Sequence, residues 1–435
     1  MDGVVHPWRR PAPVAGHSLA EGRRACQQGA APVRGAPQAA PPARVARAGA
    51  HGILNAETRQ SDPGAPLQRP PSVARNRMAP RPAISPPPAH GTGPRRARAR
   101  CIASLLAALP LLVACTPGTP EVQRLQRYEP LLERPLAERV LPADAAVLER
   151  AHRTNLDFGD DVRPRAAAPG HRLTPVVREA LAGLPPAVTR LAGLHLAAVY
   201  LVEHDAGTAT TEGVQGPDGR WRHAYIVLNL TALERDANAW ATWKERSAFR
   251  PAAGYDLRVT IEPAPSDDRL GAVRFILLHE LGHVLGLGLG VHGYWDAEDP
   301  LPPPATGLSP FAARSWELAE VQGKPTLRSR FAAREPKLGG LGFYQFDHAP
   351  HSLAEAAALY AALEHTNFPS LYGATQVYDD FAESFAITVH TQLLGKPYEV
   401  ELLREGRRFH VYRSCIVTGH CTKKAALVHA LLDAP

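Results

Sequence analysis

Apolar positions along the chain fall into two regimes. Over residues 1 to about 100 they are scattered among Ala, Pro, Arg and Gly with no sustained period, so this stretch cannot bury a core. Further on, a period becomes legible. Asp144, after Pro142, is placed to cap a helix over residues 144–155, and Thr174-Pro175 opens another that ends by Gly183. A short third helix is expected over 187–193. Residues 195–203 (HLAAVYLVE) and 224–230 (AYIVLNL) read as strands, expected to pair as a hairpin across a Gly- and Thr-rich passage with a Pro217-Asp218-Gly219 turn. Residues 231–243 then read as a helix that packs Trp240 and Trp243 on one face, and 255–262 as a third strand.

The longest apolar run, 275–289, follows Asp267 and Asp268, which suit the positive end of a helix. Gly286, Gly288 and Gly290 mark where the chain leaves it. Residues 291–350, rich in Pro, Gly and aromatics, are expected to wrap around a cleft. Ser352 and Glu355 form a capping box for a helix reaching Glu364. A strongly patterned helix is expected over 378–394 and a short one over 423–432. Strands that lead into a long helix, with more helices after them, indicate an α+β domain with a small mixed sheet.

Within the apolar run stands His279-Glu280-Leu281-Gly282-His283. Residues four apart share a helix face, so His279 and His283 offer two imidazole nitrogens to one metal ion. Glu280, one position round, is placed to act as a general base on a water at that metal. A hydrolytic zinc site needs a third protein ligand, and the sequence offers three options. A His six residues after the second His is excluded, because that position is Leu289. His292 comes three residues later and reads more simply as a bystander in a Gly-rich loop. The favoured option is Glu383, which sits among small residues in Asp379-Asp380-Phe381-Ala382-Glu383-Ser384-Phe385-Ala386, where a carboxylate is costly to bury without a partner. Asp379 and Asp380 read equally well as groups that orient a ligand histidine and as ordinary acids of a helix N-terminus.

The H-E-x-x-H together with D-F-A-E resembles the gluzincin-like zinc peptidases of bacteria, including relatives of the anthrax lethal factor catalytic domain. The likeness covers roughly residues 195–395. It implies a zincin-like domain with an active-site helix and a later ligand-bearing helix, Zn2+ on His279, His283 and Glu383, and Glu280 as catalytic base. In that group a Tyr seven residues before the ligand Glu helps stabilise the oxyanion. Here position 376 is Gln, and neither Tyr372 nor Tyr378 matches, which leaves the donor unassigned.

Charge and cysteines add a location. Residues 1–114 carry 16 of the 49 basic and 4 of the 42 acidic residues, which leaves 33 basic and 38 acidic in the rest. The alkaline balance therefore belongs to the leader, and nucleic-acid binding by the folded part loses its support. Arg95, Arg96, Arg98 and Arg100 precede a short apolar run, 102–113, that ends in Leu112-Val113-Ala114-Cys115, a pattern similar to a bacterial lipobox. Met78 would start a signal of ordinary length, so 78–115 reads as a lipoprotein signal peptide and 1–77 as an over-extended start or disordered segment. Lipid on Cys115 would tie the chain to a membrane of the cell envelope, on the periplasmic face of the outer membrane. Residues 116–165 then form a tether with N-terminal helices, and 166–435 the metallopeptidase domain. In that oxidising compartment Cys415 and Cys421 are expected to pair as a disulfide. The expected activity is hydrolysis of peptide or protein substrates in the envelope. The competing expectation is a zincin-fold lipoprotein with little turnover and a binding or structural role.

Overall fold

The computed structural model describes residues 120–292, 307–321 and 324–434, so residues 1–115, with Cys115 and the signal segment, lie outside the described part. The described chain opens with short 3-10 turns and α1 (Glu129–Leu132), then β1 (Val140–Pro142) and α2 (Ala145–Asp157). Asp144 caps α2, its side chain accepting from the backbone of Ala146 and Val147. After β2 (Arg165–Ala166) come α3 (Thr174–Ala182) and α4 (Pro186–His195), which run into β3 (Leu196–Glu203), β4 (Ala209–Gln215) and β5 (Trp221–Asn229). The order of these strands is β1-β3-β5-β4, with β2 added antiparallel on β3.

The expected hairpin between the first two strands is not what forms. β3 and β5 pair in parallel, and the Thr-rich passage between them is itself the edge strand β4, antiparallel to β5. The turn at Gly219, with φ +74°, closes the β4–β5 hairpin. Both faces of β3 are covered. Leu196, Val199 and Leu201 join the main core, whereas Ala198, Tyr200 and Val202 pack with Tyr128, Val147 and Tyr225 in a second cluster. A strand buried on both sides has no polar face, which is why its sequence shows no alternation.

The chain continues through α5 (Ala237–Arg246), the two-residue β6 (Phe249–Arg250), β7 (Tyr255–Thr260) and the long α6 (Arg269–Gly288). By length and composition α6 is apolar enough to cross a membrane, but its residues are mostly buried inside the protein and it is the central core helix. Asp268 caps it, accepting from Gly271 N at 2.8 Å. Then follow α7 (Ala312–Ser315), the hairpin β8 (Trp316–Val321) and β9 (Lys324–Ser329), β10 (His351–Ser352), α8 (Ala356–Glu364) and α9 (Val377–Thr388). The Ser352–Glu355 capping box forms as the sequence predicts, one short 3-10 turn ahead of α8. A π-helical turn, Val389–Leu393, extends α9, and β11 (Glu399–Arg404), β12 (Arg407–Arg413), α10 (Cys415–Thr418) and α11 (Thr422–Asp433) close the chain. Cys415 and Cys421 are joined in a disulfide.

β7, β11 and β12 make a second, antiparallel sheet. The free edge of β7 is covered by three side chains one turn apart on α5. Asn238 Oδ1 accepts from Ile261 N and Glu262 N, Thr242 Oγ1 accepts from Val259 N, and Arg246 donates to Leu257 O. Side chains here take the place of a neighbouring strand and satisfy an edge that would otherwise invite pairing. The same helix thereby holds its other face against the centre of the molecule, where the motif lies. The architecture is α+β, with small mixed sheets and the long motif helix at its centre.

Candidate metal centre

α6 and α9 cross in close contact at Gly282 and Ala382. A Cβ on Gly282 would stand 2.6 Å from Ala382 Cα, so only glycine allows the two backbones this near each other. The crossing brings the histidines of one helix against the carboxylates of the other. His279 Nε2 and His283 Nε2 lie 3.1 Å apart. Asp379 Oδ1 is 3.4 Å from His283 Nε2 and 3.7 Å from His279 Nε2. Donors on a tetrahedral zinc at ordinary bond lengths are separated by roughly 3.3–3.4 Å. The three atoms thus have the mutual spacing of three corners of one coordination tetrahedron, and they are the group among the described residues able to share a metal ion.

Asp379 is oriented for this. Its Oδ2 accepts from Thr375 Oγ1 at 3.0 Å and Gln376 Nε2 at 2.8 Å, which leaves Oδ1 turned to the histidines. Burial works against its charge, but the contact with His283 and the nearness of His279 hold the carboxyl below its ordinary range. For His283, burial disfavours the charged form, yet Asp379 and the charges of Glu280 and Glu383 raise its pKa overall.

Glu383 is placed differently from the expectation. It is buried behind His279, with Oε1 2.9 Å from His279 Nδ1, on the far side of the ring from Asp379. That approach is close but oblique, short of hydrogen-bond geometry at Nδ1. Oε1 also accepts from Lys244 Nζ at 3.0 Å, and Oε2 accepts from Ser370 Oγ at 2.6 Å. Burial alone would raise the Glu383 pKa. The Lys244 charge, with His279 and Ser370, instead holds it well below the carboxylate range. Asp380, also buried, points away and pairs with Lys424 and with Trp316 Nε1. Of the three buried carboxylates of α9, two have a lysine, while the ion-pair partners of Asp379 among the described residues are the two histidines.

Glu280, the residue after the first histidine, is buried, and its Oε2 accepts from Thr211 Oγ1 of the edge strand β4 at 2.7 Å. Two tyrosines stand close by. The Tyr372 ring lies 5.4 Å from the His279 ring, centre to centre, and burial with the neighbouring negative charges keeps its hydroxyl protonated far above the ordinary range. Tyr344 adopts φ +60°, rare for a bulky side chain. Ser247 holds it there by accepting from Tyr344 N at 2.7 Å, and its hydroxyl comes within 3.4 Å of Thr208 Oγ1.

His292 is buried elsewhere, packed on the rings of Tyr378 and Phe381 and against Gly286. Neither His292 nor Tyr378 joins the group. Lys244, Thr211, Ser370 and Tyr344 are neighbours that the sequence did not point to. Lys244 had one clue, since it lies four residues from Trp240 on the buried face of α5. No family model, characterised protein or solved structure matches the chain.

Proposed function

We propose that the chain is a zinc-dependent metallopeptidase of the gluzincin-like type, with the metal held by His279, His283 and Asp379. The observation that carries this reading is the convergence of the two Nε2 atoms and Asp379 Oδ1 at tetrahedral spacing, with Glu280 fixed beside them. Glu383 becomes the group behind His279 rather than the third ligand, since both of its oxygens are taken by other partners. The resemblance also gains a matching residue. Counted from Asp379 instead of Glu383, the position seven residues earlier is Tyr372.

Held by His279, His283 and Asp379, a zinc ion would supply a Lewis acid for the scissile carbonyl and a water of lowered pKa. The remaining work falls to the chain. Glu280, held by Thr211, takes the proton from the water as its oxygen bonds to the carbonyl carbon. It then gives that proton to the departing nitrogen as the C–N bond breaks. Tyr372 keeps its proton and donates a hydrogen bond to the oxygen on which charge develops. The edge strand β4 flanks the site beside Glu280. The lipobox-like Leu112-Val113-Ala114-Cys115 supports anchoring through Cys115 in the envelope, with peptides or proteins there as substrates.

Digestion of a mixed peptide library, with zinc analysis of the same protein, tests this. Glu280→Gln is expected to keep its zinc and lose activity by roughly 10²- to 10⁴-fold. Undiminished cleavage by that variant would remove Glu280 from the role. Bound zinc with no cleavage by the wild type at any pH would favour a binding or structural lipoprotein.

A further inference from the structure

Lys244 is a buried ammonium whose carboxylate partner among the described residues is Glu383, the group behind His279. Its Nζ also lies 4.1 Å from the centre of the Tyr372 ring, on the face of the π system. A single cation therefore touches the support of a histidine and the ring of the tyrosine that stands beside it. Lys244 sits on α5, whose opposite register of Asn238, Thr242 and Arg246 is bonded to the edge of β7, so the ammonium is carried on a helix with little freedom to shift.

We propose that Lys244 is the positioning residue of this centre: it holds Glu383 behind His279 and out of the ligand set, and it seats the Tyr372 ring. The proposal rests on the metal reading above. A carboxylate bonded to a buried ammonium cannot swing to a metal without stranding that ammonium, which is costly in the interior. Held in place, Glu383 keeps a carboxylate oxygen 2.9 Å from His279 Nδ1, and Nε2 is the nitrogen presented toward His283 and Asp379. Such supporting contacts typically govern metal affinity by 10- to 100-fold.

The test compares wild type, Lys244→Met, Lys244→Met with Glu383→Gln, and Lys424→Met in the same full chain. Zinc affinity is measured by chelator competition, and the visible spectrum of the cobalt(II) form reports the ligand geometry. Lys244→Met is expected to bind zinc about 10- to 100-fold more weakly, with an altered cobalt spectrum. The double variant removes both charges of the Lys244–Glu383 pair, so it is expected to fold even if the single variant does not, and it is expected to stay as weak. Lys424→Met, which strands a carboxylate of the same helix away from the histidines, is expected to bind at least tenfold more tightly than Lys244→Met. Unchanged affinity and spectrum in the double variant, or equal losses in Lys424→Met and Lys244→Met, would overturn the positioning role. Wild type that binds no zinc would overturn the metal reading itself, and the role of Lys244 with it.

Discussion

The two buried lysine–carboxylate pairs on α9 use the same groups in different surroundings. Glu383 and Lys244 sit among further polar partners: His279, Ser370 and the charges around the motif. There the pair stays ionised. Burial disfavours the Lys244 charge, but Glu383 raises its pKa above the ordinary lysine value, and Glu383 in turn is held well below its own. Asp380 and Lys424 sit one turn away among Phe311, Phe368 and Trp316. There burial prevails: the Asp380 pKa is raised and that of Lys424 lowered, each pushed toward its neutral form despite the partner. An ion pair alone does not set the charge state. The further charges around it matter as well: His279 beside Glu383 and Glu245 near Lys244 favour the charges of the first pair, whereas Arg314 works against the charge of Lys424. The first pair lies behind His279, and the second ties α9 to the C-terminal helix α11, just beyond the Cys415–Cys421 disulfide.

That contrast can be broken by experiment. Lys424→Met leaves Asp380 buried without its cation and should destabilise the fold by about 3–5 kcal/mol in chemical denaturation. Adding Asp380→Leu should recover most of that loss, because two apolar groups replace the pair. A double variant as unstable as the single one would show that the pair does more than tie two helices. The crossing that brings both helices together offers a second handle. Gly282→Ala should cost roughly 1–3 kcal/mol and weaken zinc binding as well, because Ala382 must move and the histidines lie on either side of the contact. Unchanged stability would mean that α6 and α9 can separate freely, and the site geometry would then not depend on their contact.

The smallest effect concerns a third buried carboxylate. Glu245 accepts from the Tyr360 hydroxyl and has no lysine of its own among the described ion pairs. Burial raises its pKa to about 7, with the Lys244 charge pulling the other way. A carboxyl whose folded pKa lies above its unfolded value favours the fold most fully below the unfolded pKa, near 4.5. That contribution declines as pH rises toward 7. Denaturation midpoints should therefore fall across this window in the wild type and less so in Glu245→Gln. Equal slopes in the two proteins would locate the titration elsewhere.

How much of this could be read from the sequence depends on how far apart the deciding residues lie. Asp144, Asp268 and the Ser352–Glu355 box announced their helices, because a cap bonds to backbone only two or three residues away. His279, Glu280 and His283 were legible for the same reason, since one helix face fixes their relation. Strand partners were not. The parallel pairing of β3 with β5 places an edge strand outside both, and no local pattern in the Thr-rich passage records that order. The different surroundings of Asp379 and Glu383 were hidden in the same way. Both lie on one face of α9, four residues apart, and each suits a ligand. What separates them is Lys244, 139 residues from Glu383 along the chain. One local clue did exist: the spacing from Tyr372 matches Asp379 and not Glu383.

Metal content tests the proposed division of labour between Asp379 and Glu383 most directly. Asp379→Ala and Glu383→Gln, each loaded with zinc and dialysed against a weak chelator, should part company. Asp379→Ala is predicted to retain almost no zinc, while Glu383→Gln, whose amide can still stand behind His279, retains most of it with reduced affinity. Full occupancy in Asp379→Ala together with an empty Glu383→Gln would contradict the account and return Glu383 to the ligand set.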